Sequence, residues 1–170
     1  MKALLGIVLA FGLLATSARA QTGVEELHID PPVNALNAAL ITATEAGNPA
    51  EFQRLLLTEK VYAPVSEGTY RSLTAARQAR DARSQTQVVF PTFRINGSPE
   101  MVLFFTSAED LKAAIGERYW ISIPGRQALS LLPPSAPAAV MDGQGHQARF
   151  TPDEIRTLLG LPVAAPPSGS

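Results

Sequence analysis

The side chains of this 170-residue chain that could do chemistry are two histidines, three adjacent acid pairs, one well-placed serine and one group of arginines. His28 and His146 lie far apart, and neither has a Cys, His or acidic neighbour at a metal-ligand spacing. No HExxH pattern exists, so zinc-assisted hydrolysis has no sequence support. His28 falls in an extended lead-in and His146 in a glycine-flanked turn, which gives both a surface or hairpin role. Ser107 stands where a strand is predicted to pass into a helix, the place of an α/β-hydrolase nucleophile. That sharp elbow needs flanking glycines, and no glycine stands near Ser107, neither at Thr106 and Ala108 nor just beyond them. A helix N-cap accounts for Ser107 without catalysis.

Of the acid pairs, Glu109-Asp110 and Asp153-Glu154 fall in predicted first helical turns, where negative charge meets the positive end of the helix dipole. Glu25-Glu26 sits in the lead-in. Asp142-Gly143-Gln144-Gly145 has no lysine or third glycine for a phosphate loop and no acidic spacing for calcium, so it predicts a hairpin turn. Cysteine is absent, which excludes disulfides, thiolate metal sites, cysteine nucleophiles and a lipid-anchor cysteine. We therefore expect no catalytic, cofactor-binding or metal-binding residues. Arg71, Arg77, Arg80 and Arg83 form the one charge cluster, with Asp81 the only acid among them. Three of them are spaced by three, along one side of a helix. They are either a solvated face or a contact for an anionic partner: phospholipid head groups, an acidic protein or a polyanionic glycan. Tyr119-Trp120 is the one large aromatic pair, serving as core or as an anchor facing a partner.

Composition narrows the classes further. At 46% hydrophobic and 17% charged residues the chain has enough apolar matter to fold, and its length suits one domain. A formal charge of −1 offers nucleic acid no basic surface. Residues 1–20 are expected to be a secretory leader: Lys2, then an apolar stretch from Leu4 to Ala15, then Ala18-Arg19-Ala20 before a cut at Gln21. The apolar stretch is shorter than the ~20 residues that span a bilayer, and no later segment is a membrane-spanning candidate. Losing Lys2 and Arg19 takes the formal charge to −3. The expected destination is the periplasm or the medium. Residues 161–170, rich in Pro, Ser and Gly, are expected to be a disordered tail.

Between leader and tail, residues 21–160 must supply the elements that position these side chains. Asp30-Pro31-Pro32 predicts a helix start, with Val33, Leu36, Leu40 and Ala43 on one face and Gly47 as the stop. Asn48-Pro49 starts a second helix, with Phe52, Leu55 and Leu56 facing inward. Strands are predicted over 61–65, 88–95, 100–106, 119–123, 138–141 and 147–150. Pro64 marks an edge strand or a strand end, and the apolar run Met101–Phe105 marks a central strand covered on both faces. A helical turn or two is predicted over 74–83. A middle helix follows Ser107, with Asp110 completing an approximate capping box and Ala108, Leu111, Ala114 and Ile115 as its buried stripe. A short helix is predicted over 127–132. Thr151-Pro152-Asp153-Glu154 opens a closing helix with a full capping box, and Gly160 ends it. The fold class is α+β: a small mixed sheet with two N-terminal helices, a middle helix and a C-terminal helix packed on it.

Four passages in this order resemble the SseB N-terminal-like domain, a family named after an enterobacterial serine-sensitivity protein and sharing its name with type III secretion components. They are Leu55-Leu56-Leu57 with Val61-Tyr62-Ala63-Pro64; Phe90-Pro91-Thr92-Phe93 with Asn96-Gly97; Phe104-Phe105-Thr106-Ser107 with Leu111; and Phe150-Thr151-Pro152-Asp153-Glu154-Ile155 with Leu158-Leu159. They cover roughly residues 33–160. The resemblance implies a fold and an interaction module rather than a reaction. The expected function is that of an exported, non-catalytic domain binding another protein or an anionic envelope component. The alternatives are an envelope hydrolase with carboxylates that converge only in space, and a small-ligand carrier with a closed apolar cavity.

Overall fold

The computed structural model describes residues 34–78, 88–95 and 97–163. The described residues all fall in one compact unit. Along the chain run α1 (Ala35–Ala46), α2 (Ala50–Thr58), β1 (Lys60–Pro64), α3 (Glu67–Gln78), β2 (Thr92–Phe93) and β3 (Met101–Phe105). There follow α4 (Ala108–Ile115), β4 (Trp120–Pro124), α5 (Gly125–Ser130), β5 (Ala138–Met141), β6 (Gln147–Phe150) and α6 (Pro152–Leu159). The strands form one mixed sheet in the order β4-β1-β3-β5-β6, with β2 also beside β3. This is the α+β architecture expected. All pairs are antiparallel except β3 with β5, which run parallel with Val102 opposite Ala138.

Every residue of β3 is buried. Val102 and Phe104 join the larger core with Leu36, Leu40, Phe52 and Leu56. Met101, Leu103 and Phe105 join a smaller one with Leu111 and Ala139. Helices on both faces explain the unbroken apolar run, since a strand covered twice has no polar side.

Local chemistry sets the boundaries, and several differ from expectation. Helix α1 starts at Ala35 with Asn34 as its cap, not Asp30, because Asn34 Oδ1 accepts the Asn37 N–H at 2.9 Å. Asp30 through Val33 lie outside the described residues. Gly47 ends the helix in the left-handed region, φ 68°. On α2, Arg54 grips Glu51 at 2.6 and 2.9 Å, and these hydrogen bonds hold the Glu51 carboxyl below its ordinary value. Both groups are solvent-exposed, so the pair adds little stability. Pro64 ends β1, an interior strand. Helix α3 starts at Glu67, seven residues before the expected turn, with Ser66 Oγ accepting the Thr69 N–H at 3.1 Å. Residues 79–83 lie outside the described residues.

The predicted strand 88–95 shrinks to Thr92–Phe93. Pro91 interrupts it, and β1 shares that flank of β3, pairing Tyr62 with Phe105. Phe90 is buried all the same, edge-to-face with Phe104 at 5.5 Å between centroids. On α4, Ala114 is exposed rather than part of the buried stripe, and Leu111 is fully buried. Helix α5 begins at Gly125, two residues before the predicted start. The hairpin β5–β6 and the complete capping box of Thr151 and Glu154 stand as expected. After α6, the chain folds back far enough for Arg156 Nε to donate to Pro162 O at 2.8 Å. Residues 1–20, expected to be a leader, and residues 164–170 lie outside the described residues. No helix among the described residues is long and apolar enough to cross a membrane.

Candidate functional site

Because β3 and β5 are parallel, their carboxyl ends open at the same end of the sheet, where ligand sites of α/β sheets collect. A chain of polar side chains gathers there. Thr106 Oγ1 donates to Asp110 Oδ2 at 2.6 Å and accepts from Asn37 Nδ2 at 2.9 Å. Asn34 Nδ2 donates to the Thr106 carbonyl at 2.8 Å. Asp110 Oδ1 accepts the Gly143 N–H at 2.9 Å, tying α4 to the β5–β6 turn. Inside that turn, Asp142 Oδ1 accepts the N–H groups of Gln144 and His146, each at 2.9 Å. Asp142 Oδ2 lies 2.6 Å from His146 Nδ1. With a carboxylate at that position, Nδ1 carries the ring hydrogen and Nε2 faces Glu45 Oε1, 3.9 Å away on α1.

A buried carboxylate orienting an imidazole is half of a general-base device. The other half is missing from the nearby hydroxyls. Thr106 is fully buried and bonded on both sides, and Ser107 Oγ accepts the Asp110 N–H at 2.9 Å. Ser107 is thus the cap expected of it. The Asp110 carboxylate, however, does not return to the cap, because Thr106 and Gly143 hold it. Ser107→Ala should cost about 1 kcal/mol in urea denaturation, and Ser107→Asp should restore most of it. Among the described residues no three His, Asp or Glu side chains gather to hold a metal ion.

The Asp142–His146 pair escaped the sequence reasoning. Its signal was an Asp four residues before a His across Gly-Gln-Gly, which looks like turn chemistry and is also a ring-orienting contact.

Arg71 and Arg77 occupy a different surface, on α3. Arg71 pairs with Glu67 at 2.5 Å, and its side chain is 76% exposed. Arg77 is exposed in the last turn of α3. Arg80 and Arg83 lie outside the described residues. Tyr70 stands seven residues before Arg77, on the same helix face, and packs against Tyr119 with the rings tilted by 33° and 5.1 Å between centroids. Both tyrosines stay exposed, at 39% and 43%. Tyr119 also lines a cleft of about 510 Å³, together with Val65, Ser66, Glu67, Glu117 and Arg118. Trp120 turns to the other role foreseen for the pair: it is half-buried, packs on the smaller core and meets Tyr62 at 5.5 Å. A second concavity, an open groove of about 410 Å³, runs along β6 between α1, α2 and α6.

No curated protein and no solved structure matches this chain. The model of the SseB protein N-terminal domain matches residues 36–157, from α1 into α6 and through every strand of the sheet. The chain belongs to the SseB protein N-terminal domain family.

Proposed function

We propose that the chain is an exported, non-catalytic module that binds another protein or an envelope component. The observation that supports this reading is the tilted pair Tyr70 and Tyr119, which stays exposed with Arg118 next to Tyr119 and Arg77 about two turns along α3 from Tyr70. Tyrosine and arginine together are the composition of binding hot spots, because rigid rings bury much area at little entropic cost and the planar guanidinium fork forms paired, directed hydrogen bonds. Arg71, Arg77, Arg80 and Arg83 would steer an anionic partner toward that surface. The acids at the sheet end serve the fold instead, since Asp110 and Asp142 each accept N–H groups that hold the turn.

The test is a crosslinked pull-down from envelope extracts, using protein recovered from the periplasm or medium. N-terminal sequencing should find Gln21 first. The double variant Tyr70→Ser, Tyr119→Ser should lose the captured set while its melting temperature moves by only about 2 °C. Replacing Arg77, Arg80 and Arg83 by Gln should weaken capture, and salt should weaken it in the wild type. An unchanged captured set in the tyrosine variant overturns the reading, and a full-length form kept in the membrane overturns export. The hydrolase alternative draws support from one observation, the oriented imidazole of His146. That alternative requires His146→Asn to abolish turnover of an envelope ester or amide that the wild type cleaves.

A further inference from the structure

We propose that the outer edge of β6 is a second binding site, which takes an extended segment of a partner protein as an added antiparallel strand. The ladder itself dictates which backbone groups are available. Asp142 N–H donates to His146 O at 3.1 Å, so this is a hydrogen-bonded pair of the β5–β6 hairpin. Such pairs alternate along antiparallel strands, which makes Val140 with Ala148 and Ala138 with Phe150 the next two. Gln147 and Arg149 belong to the intervening pairs, so their N–H and C=O groups point away from β5. The opposite strand obeys the same parity, for Met141 O turns to β3 and accepts the Thr106 N–H at 3.0 Å. β6 ends the sheet, and no described strand pairs with that outer edge.

The edge borders a groove rather than a flat surface. It forms one wall of the groove along β6, where α1 and α2 contribute Ala43, Thr44 and Phe52, and α6 contributes Thr157 and Leu158. Phe52 and Phe150 stack at 6.3 Å and make an apolar floor. Backbone groups on a strand edge beside an apolar trough are what strand addition requires: main-chain bonds for affinity and a trough for alternate side chains.

Charge selects the occupant. Side chains alternate across β6, with Ala148 and Phe150 on the groove side and Arg149 on the other face. Arg149 donates to Ser98 Oγ at 2.9 Å and has no carboxylate partner among the described residues. An added strand therefore gains most from an acidic residue opposite Arg149, flanked by apolar residues that enter the groove. The segment is alternating apolar and acidic. This surface is distinct from the tyrosine pair, so either can fail without the other.

The probe is a capped five-residue peptide, threonine–valine–glutamate–valine–threonine, with a control carrying lysine in place of glutamate. Titrated into the ¹⁵N-labelled protein, the acidic peptide should shift the Gln147 and Arg149 amides and slow their hydrogen exchange. Gln147→Pro removes an outward N–H without touching the β5 ladder, and should weaken binding at least tenfold. Arg149→Glu should weaken the glutamate peptide by at least tenfold and bind the lysine peptide better than the wild type does. The proposal is overturned if neither amide responds, or if Arg149→Glu leaves the preference unchanged. It is equally overturned if those amides respond to protein concentration alone, which would assign the edge to a second copy of the chain.

Discussion

Gly125→Ala is expected to destabilise the domain by about 3 kcal/mol or more, although it adds one methyl group. A β-carbon on Gly125 would lie 1.9 Å from the Leu56 carbonyl oxygen and 3.0 Å from its carbon. Those atoms are helix backbone, and Leu56 is fully buried, so nothing flexible can give way. The neighbourhood is also pinned from the other side, because Gly125 N–H donates to Glu59 O at 2.9 Å. The new methyl must therefore part α2 from α5, or break the corner where β4 turns into α5. A thermal melt should show a fall of roughly 10 °C or more. Gly68→Ala is the matched control: its nearest neighbour would be Ser66 Oγ at 3.9 Å, and it should be neutral or slightly stabilising. Equal melting temperatures for both variants would refute the close approach of the two helices.

Asp142→Ala is expected to cost about 4 kcal/mol, far more than a change in an ordinary hairpin turn. Asp142 is 2% exposed, and its carboxylate accepts two backbone amides and the His146 ring. Removing it takes a charged acceptor from all three donors, two of them on the half-buried His146. Asp142→Asn keeps one oxygen for the amides and presents an NH₂ to the ring, which must then carry its hydrogen on Nε2. That variant should lose about 1–2 kcal/mol, and the NMR signature of the His146 tautomer should invert. Urea denaturation separates the two outcomes. A loss below 1 kcal/mol for alanine would show that the turn holds without its carboxylate.

How much of this was legible in the sequence depended on whether the signal was local. Met101–Phe105, the Thr151–Glu154 box and the hairpin of residues 138–150 were readable because each is specified by its own residues. Helix α3 was missed at its start because it buries little: Thr69 is its one buried residue, so no apolar stripe announced it. The overlong strand at 88–95 failed for the opposite reason. Val88 and Phe90 are apolar because they plug the larger core, and they do so without joining a ladder. At the candidate sites, the arginines and Tyr119 were visible by type, whereas the partner Tyr70 came from a helix the pattern had not disclosed. The double engagement of Asp110 was invisible, since Gly143 lies 33 positions away along the chain.

The single parallel pairing has a kinetic consequence. Val102 and Ala138 are neighbours in the sheet, yet the whole of α4, β4 and α5 lies between them in the chain. A ribosome adding 5–20 residues per second releases β3 roughly two to seven seconds before β5 can follow. Throughout that interval five apolar side chains have β1 and β2 for company but lack the strand that closes their other flank. Closure of so long a loop must precede the reward of the contact, which makes this pairing a slow step of folding. The nascent chain therefore carries a sticky, strand-competent segment for seconds, and a holding chaperone that binds extended apolar peptide would find its best target at residues 101–105.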